Sequence, residues 1–600
     1  MYKRTNITFM KDFVKITLAT LAGLFIFTIA STFLSLAIVG AIAASSEKQV
    51  TLPHEGVLKI DMSSFALSEQ TKEDDILSTI QAQGKTIKTV GIYNAVKAVN
   101  TAATDPAVKF IYLKPDGAMG GTAQIEELRT ALKNFRSKGK AIVSYMENPT
   151  NAGYYLASVS DKIYMTSYDG GINMFNGVSS QMIFLKDILD RLGVNVQLIR
   201  HGKYKSAGEM FIRNSASKEN MQQTKELVES IWESWAVEIA QSRNITVDDL
   251  NSILDNLELC LPEDWVRTGL VDEVVNLNQL EQKLCDVYVA EKFDDIKSIS
   301  LVDYAKAKNT INYKATNKIA VIYAEGNIVD GDDNSQVAGD RFAKLIAKVR
   351  QDSSVKAVVL RVNSPGGSVL AAEKIKTEVD LLRQSRPVIA SYGDYAASGG
   401  YWISANCDKI YSNATTLTGS IGVFSMIPDL SGTVKNKLHV NVTAVNSNDH
   451  GDMYTSMRAL SKTEADYMQK SVENIYDKFT ALVAAGRGMT VPEVDEVAQG
   501  RVWSGAEALK IGLVDEIGTL EDAIAYAAIS IDGVSGINDV QIVEYPKPQT
   551  TLDLLLESFG ADENIFAGTP LENAAEAFMN WNANESGKIY ARLPYEIEIR

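Results

Sequence analysis

This 600-residue sequence lacks the patterns of a metal site or a disulfide framework. Its three cysteines are odd in number and lack zinc-ligand spacing, and its four histidines never occur as H-x-x-x-H or H-E-x-x-H. We therefore expect no metal and no cofactor. The residues concerned are Cys260, Cys285 and Cys407, and His54, His201, His439 and His450.

Clusters of lysine and arginine are also lacking. The formal net charge is −16 and the isoelectric point is about 5.0. Binding to a phosphate backbone requires grouped positive charge, so the composition excludes a nucleic-acid partner.

Charged residues are absent from the segment 16–44, which is longer than the ~20 residues needed to cross a bilayer. The competing interpretation is a signal peptide, whose apolar region would be only ~7–15 residues long, although A-I-A-A-S resembles a cleavage site. Four basic residues precede the segment, and only Lys48 follows it closely. The length of the segment predicts an uncleaved anchor. The charge bias places residues 1–15 in the cytoplasm and the rest of the chain outside.

The chain contains an internal duplication. Residues 105–164 align without a gap on residues 352–411, at an offset of 247, with 17 identities in 60 positions. Two homologous domains are therefore predicted, with the polar stretch 304–317 as the boundary between them. The predicted organisation is an N-terminal domain at 50–310, a C-terminal domain at 318–545 and a tail at 546–600.

Apolar strands alternate with helical patterns in each half. VLKIDM at 57 and KIAVIYAEG at 318 open the two halves, and a helix over 369–384 separates the β-rich runs KAVVLRV and PVIASYG. This alternation predicts an α/β fold with parallel strands. In the tail, LDLLLESF and ENAAEAFMNW predict helices, and KIYARLPYEIEI predicts an alternating edge strand.

Ser398 stands in Y-A-A-S-G-G-Y-W, where a strand is predicted to turn into a helix. A serine here can cap the helix. It can also be a nucleophile, because small neighbours let a peptide backbone approach and a helix N-terminus favours developing negative charge. The matching position in the first half is Asn151, which has no hydroxyl.

Lys205 stands in H-G-K-Y-K-S-A, after the strand-like NVQLI. The second half has an aspartate at the matching position, so each half keeps only one of the two groups. Lysine can serve as a base if an apolar pocket lowers its pKa, as in Ser–Lys dyads. A solvated surface lysine is the alternative, and Lys203 is a rival base. No G-x-S-x-G surrounds the serine, which disfavours a Ser–His hydrolase built on His439 or His450.

The turn N-S-P-G-G-S-V follows the strand KAVVLRV and leads into a helix. Gly366 and Gly367 could present backbone N–H groups to an oxyanion, although a tight structural turn is the alternative for any P-G-G. The turn lies one strand before Ser398 in a predicted parallel sheet, where the carboxyl ends of strands form a crevice.

The chain resembles the double-length signal peptide peptidase A family of bacteria. The resemblance rests on one N-terminal anchor and on four stretches, NSPGGSV, YAASGGYWISANCDKIY, TLTGSIGVF and GKYKSAGEMFIR. The resemblance covers the chain from the anchor to about residue 545. It implies two tandem crotonase/Clp-protease-like domains of β-β-α units, preceded by one transmembrane helix. It also implies a Ser–Lys serine endopeptidase that degrades remnant signal peptides.

The resemblance implies a role for each matching residue. Ser398 would be the nucleophile, Lys205 the general base, Gly366 or Gly367 the oxyanion turn, and Ser420 a serine that hydrogen-bonds the lysine. It further implies a homotetramer on the outer, periplasmic face of the bacterial inner membrane, in contact with its lipid. We expect extended apolar peptides to add as a strand. Two rival functions remain open, a crotonase-type acyl-CoA enzyme and an inactive membrane scaffold.

Overall fold

The computed structural model describes residues 52–71, 87–309, 311–547 and 588–593, together with residues 20, 23, 24 and 27. The chain divides into two compact units, residues 1–52 and residues 53–600. Apart from those four helical residues, the predicted anchor at 16–44 lies outside the described part of the chain. Within the described residues, no helix has both the length and the apolar character needed to cross a membrane.

The strands fall into two runs that correspond to the two halves of the duplication. Those of the first half are β1 (Gly56–Asp61), β2 (Phe65–Ser68), β3 (Lys88–Gly91), β4 (Val108–Lys114), β5 (Ile142–Met146), β6 (Lys162–Thr166), β7 (Asn195–His201), β8 (Glu273–Val275) and β9 (Ser298–Ser300). Those of the second half and tail are β10 (Lys318–Glu325), β11 (Ile328–Val329), β12 (Val337–Ala338), β13 (Val355–Ser364), β14 (Gly366–Ser368), β15 (Val388–Ala397), β16 (Lys409–Ser412), β17 (Leu417–Gly419), β18 (Val423–Asp429), β19 (Val502–Ser504), β20 (Glu516–Ile517), β21 (Gln541–Tyr545) and β22 (Tyr590–Arg592).

Helices alternate with these strands. In the first half they are Ile92–Thr104, Thr122–Ser137, Asn151–Ala157, Lys186–Leu192, Glu209–Ile212, Lys218–Arg243, Val247–Asp255, Pro262–Arg267, Leu277–Tyr288 and Leu301–Lys308. In the second half they are Gly339–Gln351, Val369–Arg383, Gly399–Trp402, Ser431–Asn436, Lys462–Arg487, Val491–Val497, Gly505–Lys510 and Leu520–Ile529. Short 3-10 turns lie at Met62–Ser64, Phe293–Asp295 and Ile537–Asp539.

Each half is built on its own, mainly parallel, sheet. The first has the order β8-β6-β5-β4-β1-β9, and the second the order β19-β17-β15-β13-β10-β21, with β16 and β20 branching from β15. The central strands are continuous runs of buried Val, Ile, Leu and Ala, as expected of parallel strands covered on both faces. The predicted α/β class is confirmed, and β13, β14 and the helix Val369–Arg383 follow one another as a β-β-α unit. The domain boundaries given above stay a prediction.

A third sheet joins the halves, with the order β12-β11-β14-β22-β18-β7. β7 of the first half pairs antiparallel with β18 of the second, from His201 opposite Val423 to Asn195 opposite Asp429. The segment that follows β7, which includes Lys205, is thereby held against the second half.

A buried ionic cluster provides a second junction. The Nε of Arg361, on β13, lies 2.6 Å from a carboxylate oxygen of Glu69, and another guanidinium nitrogen lies 2.8 Å from Glu127. All three side chains are essentially inaccessible to solvent. Asp394 of β15 accepts a hydrogen bond of 2.9 Å from Ala123 N in the first turn of Thr122–Ser137. Burial raises the pKa of Asp394 to about 6.

The tail prediction is wrong in one respect. Tyr590–Arg592 forms a strand, as its alternation suggests, but β22 lies inside the third sheet, between β14 and β18, and is not an edge. A strand's own pattern indicates which side chains face inward, whereas its neighbours depend on long-range contacts. The two helices predicted in the tail lie outside the described residues.

Candidate active site

Ser398 occupies a strained turn between β15 and the helix Gly399–Trp402. Its φ is 54° and its ψ is −110°, a conformation that non-glycine residues rarely adopt and that is common at functional sites. Its N–H donates to Gly419 O at 2.8 Å, which fixes the turn against the end of β17. The side chain makes no capping bond to the helix and is fully buried. The geometry therefore does not support the interpretation of Ser398 as a helix cap.

Lys205 reaches Ser398 from the other half of the chain. Its Nζ lies 2.8 Å from Ser398 Oγ, 3.0 Å from Ser420 Oγ and 3.1 Å from Ser420 O. The structure thus brings together the serine and the lysine that the complementary losses in the repeat singled out. The lysine is buried, so the alternative of a solvated surface charge does not hold.

Burial drives the pKa of Lys205 well below its usual value, and desolvation is the cause. In the described part of the chain no carboxylate is paired with it. A protonated amine has three donors and no acceptor, whereas the neutral amine has two donors and a lone pair. Three oxygens surround Nζ, and burial favours its neutral form, whose lone pair can accept the proton of the Ser398 hydroxyl.

Ser420 follows β17 and also has a positive φ, 49°. Its N–H donates to Arg501 O at 2.7 Å, so the backbone holds the residue in place. Both of its oxygens lie within hydrogen-bond distance of the Lys205 amine and hold it beside Ser398.

Two glycines that are not among the predicted site residues make room for the stem of Lys205. A β-carbon added at Gly500 would stand 2.5 Å from Lys205 Cβ, and one added at Gly422 would stand 3.2 Å from Lys205 Cδ. Gly500 also has φ +79°, where a side chain is strained. Gly422 lies in the stretch TLTGSIGVF, whereas Gly500 lies in none of the motifs above, because a close packing partner cannot be read from one chain.

The predicted oxyanion turn lies beside Ser398. Gly366 has φ +97°, and a β-carbon on it would stand 2.6 Å from Gly399 N. A β-carbon on Gly399 would stand 3.1 Å from Gly367 N. The backbone nitrogens of Gly367 and Gly399 therefore lie close together, beside the turn that carries Ser398. Gly399 was not among the predicted site residues, although it is the residue after the serine.

The rival bases lie elsewhere. Lys203 is exposed and lies over the Tyr204 ring at 5.2 Å. His450 is paired with Glu464 at 3.0 Å, and His439 is exposed. Within the described ranges, no group of three or more His, Cys, Asp or Glu side chains is placed to hold a metal ion.

A buried serine in contact with a buried amine of lowered pKa, beside a glycine turn, is an arrangement for acyl transfer by a serine-type peptidase. Comparison with known proteins agrees with this class. The family described as Peptidase family S49 matches residues 134–288 and again residues 380–532. The chain belongs to peptidase family S49, as two tandem domains, and is a serine-type peptidase.

Named relatives extend the similarity to most of the chain. The chain is 32% identical to "Protease 4" of Haemophilus influenzae over 561 residues, covering 90% of this chain and 88% of that one. It is 34% identical to "Protease 4" of Salmonella typhi over 482 residues, covering 78% and 76%. It is also similar to "Putative signal peptide peptidase SppA" of Enterococcus faecium, 35% identical over 250 residues, covering 40% of this chain and 71% of that one.

Proposed function

We propose that the protein is a membrane-anchored endopeptidase that uses a Ser398–Lys205 dyad to degrade remnant signal peptides after their release from preproteins. The single observation that supports this most directly is the 2.8 Å contact between Lys205 Nζ and Ser398 Oγ. The two groups come from different halves, and each half has lost the other's group.

Acylation follows from this geometry. Ser398 Oγ attacks the scissile carbonyl carbon while its proton passes to the lone pair of Lys205 Nζ. The carbonyl oxygen becomes an oxyanion and is stabilised by the amides of Gly367 and Gly399. The lysinium then gives its proton to the leaving amine, the C–N bond breaks, and the acyl group remains on Ser398.

Deacylation repeats these steps with water. Lys205, neutral again, accepts a proton from a water that attacks the ester carbonyl. The lysinium returns the proton to Ser398 Oγ as the C–O bond breaks, which releases the carboxylic acid and restores the hydroxyl.

The proposed substrates are extended apolar peptides, and cleaved signal peptides are their natural source. Three considerations support this choice, namely the predicted anchor at 16–44, the apolar cluster of Ala397, Leu417 and Val502 beside Ser398, and the name of the Enterococcus relative. An extended peptide can pair its backbone with a strand next to the site and place alternate side chains in apolar pockets. We further propose a periplasmic location on the inner membrane and a homotetrameric assembly.

The rival functions explain the site less well. A crotonase-type acyl-CoA enzyme or an inactive scaffold has no need of a buried, desolvated lysine in contact with a strained serine. A Ser–His hydrolase would need a histidine beside Ser398, whereas the ring of His450 faces Glu464.

Hydrolysis by the detergent-solubilised full chain tests the proposal. Quenched fluorescent peptides with signal-peptide sequences are compared with acidic peptides of the same length, and long-chain acyl-CoA binding is measured in parallel. Turnover of the apolar peptides that is lost in Ser398→Ala is the expected result. Acyl-CoA binding without any peptide turnover would reject it.

A further inference from the structure

A strand from the chain's own tail lies beside the candidate nucleophile. β22 pairs antiparallel with β14, where Gly367 is opposite Ala591, and it contacts β18 on its other side, where Phe424 is opposite Tyr590. We call the space between β14 and β18 the peptide slot. The tail fills this slot as a central strand.

Backbone hydrogen bonds extend the pairing beyond β22 at both ends. Leu593 N donates to Pro365 O at 2.7 Å, and Val369 N donates to Ile589 O at 3.3 Å. These are the groups of the oxyanion turn and its flanks that an added peptide strand would use. A bound peptide and the tail would therefore compete for the same backbone partners.

The register places one carbonyl of the tail at the catalytic turn. A β-carbon added at Gly366 would stand 2.2 Å from Ala591 O, and one added at Gly399 would stand 3.0 Å from the same atom. The Ala591 oxygen thus lies next to Gly366 and Gly399, and Ala591 is paired with Gly367. This is the position that the proposed mechanism assigns to the carbonyl of the scissile bond.

Over residues 591–593 the side chains of the tail alternate in burial, as those of a half-buried strand do. Ala591 is 0% exposed and Leu593 is 5% exposed, whereas Arg592 between them is exposed. Leu593 packs in a cluster with Leu417 and Val502. The slot accordingly accepts a small residue at the carbonyl position and an apolar residue two places after it.

An acidic residue lies at the other end of the segment. Asp330 Oδ2 is 3.2 Å from the Nζ of Lys588, and its Oδ1 accepts from Ser368 Oγ at 2.5 Å. Ser425 Oγ donates to Lys588 O at 2.8 Å, which holds the lysine backbone in the slot. A lysine three places before the small residue is thus recognised by charge.

We propose that residues 588–593 occupy the peptide slot as a built-in substrate mimic, so that the slot selects peptides with a small residue at the reacting carbonyl, and Asp330 selects a basic residue three positions earlier. This rests on the proposed function, which it deepens by naming the class of peptide recognised. The tail must leave the slot before another peptide can enter it.

Peptide binding to the full chain in a Ser398→Ala background tests the proposal without requiring hydrolysis. The probe is a fluorescently labelled peptide of residues 586–595, SGKIYARLPY, followed by anisotropy. Ala591→Trp puts a large ring where a methyl group is fully buried, so it should expel the tail and tighten probe binding at least 10-fold. The matched control is Arg592→Trp, because the neighbouring side chain is exposed and the tail should stay in place.

Equal probe affinity in Ala591→Trp and Arg592→Trp would overturn the proposal. Should Ala591→Trp fail to fold, Lys588→Glu is the second variant, because it reverses one charge of an accessible ion pair without adding bulk. It should tighten probe binding about 3- to 5-fold relative to Ser398→Ala alone. No change in that variant would equally count against occupancy of the slot by the tail.

The role of Asp330 has its own readout. In the Ala591→Trp variant, the probe should bind about 3- to 5-fold more tightly than the same peptide with glutamate in place of its lysine. Asp330→Lys should reverse this preference, and an unchanged preference would refute the assignment. Since the serine is absent throughout, a chain that binds the probe but shows no turnover in its active form would reject the proposed function and leave the slot intact.

Discussion

Lys205 Nζ and Ser398 Oγ lie 2.8 Å apart although 193 residues separate them along the chain. The duplicated turn of the first half is a useful contrast. Asn151 stands where the second half has its serine, and its side-chain amide is bonded to the backbone of Gly177 in both directions. One copy of the turn has thus become structural, while the other presents a hydroxyl to a lysine.

Removing either member of the dyad should abolish peptide hydrolysis. We expect Ser398→Ala and Lys205→Met each to lower kcat/KM by about 10³-fold or more, and the double variant to lose no more than either single variant, because the two groups act as one unit. Initial rates on an apolar fluorogenic peptide give the values. Lys205→Met should fold at least as stably as the parent in thermal unfolding, since a buried amine becomes an apolar side chain. If the double variant lost the product of the two single-variant losses in kcat/KM, the two residues would act independently, which would contradict the dyad.

The rate should depend on pH through Lys205. Burial lowers the pKa of this amine, so the neutral, active form appears as pH rises through the lowered value. We expect kcat/KM to rise about tenfold per pH unit on the acid side and then to level off. The folded state binds fewer protons than the unfolded state between the two pKa values, so stability should also rise with pH there. His450→Ala alters an exposed histidine and should leave the acid limb unchanged. If the acid limb disappeared in this variant, the titrating group would be the histidine and not Lys205.

Much of this site could be predicted from one sequence because the chain is duplicated. Comparing the halves singled out Ser398 and Lys205, and the P-G-G motif indicated the oxyanion turn. Their meeting could not be predicted, because it depends on the pairing of β7 with β18 across the two halves. The role of Gly500 in packing against Lys205 also could not be predicted, since nothing in a sequence indicates which backbone must approach which side chain. The strand Tyr590–Arg592 was predicted at a sheet edge for a related reason, because the neighbours of a strand depend on long-range contacts.

Ser420 should tune the base rather than supply it. Ser420→Ala removes one acceptor of the Lys205 amine and leaves the carbonyl contact of 3.1 Å. Hydrogen bonding favours the charged amine more than the neutral one, so its loss should move the acid limb of kcat/KM to lower pH. We expect the plateau of kcat to fall about 10- to 100-fold, because the lone pair is less well oriented. The full pH profile measures both effects. If kcat fell but the acid limb of kcat/KM stayed at the same pH, Ser420 would have only a packing role.

Gly500→Ala should disable the site through a steric effect. The new methyl group would stand 2.5 Å from Lys205 Cβ. Gly512→Ala is a matched control, because Gly512 has φ +77° against +79° for Gly500, and nothing lies within 4 Å of its added β-carbon. Both changes should cost about 1–2 kcal/mol of backbone strain in unfolding experiments. Only Gly500→Ala should also lower kcat/KM by about 100-fold or more. Equal activity in the two variants would show that Lys205 tolerates displacement.

The buried junction between the halves should be sensitive to loss of its only described cation. Arg361→Met leaves Glu69 and Glu127 buried with neutral hydrogen-bond donors but without a cation, and we expect it to lower the free energy of unfolding by about 3–5 kcal/mol. Lys462→Met is the comparison, because its ion pair with Asp466 is exposed, with 88% and 66% of the two side chains accessible, and such pairs contribute about 1 kcal/mol or less. Urea unfolding of both variants measures the difference.

Peptide hydrolysis should fall with the folded fraction in Arg361→Met and stay unchanged in Lys462→Met. If Arg361→Met were as stable as the parent, the two carboxyl groups would have to be protonated in the folded chain, and its stability would then fall as the pH is raised.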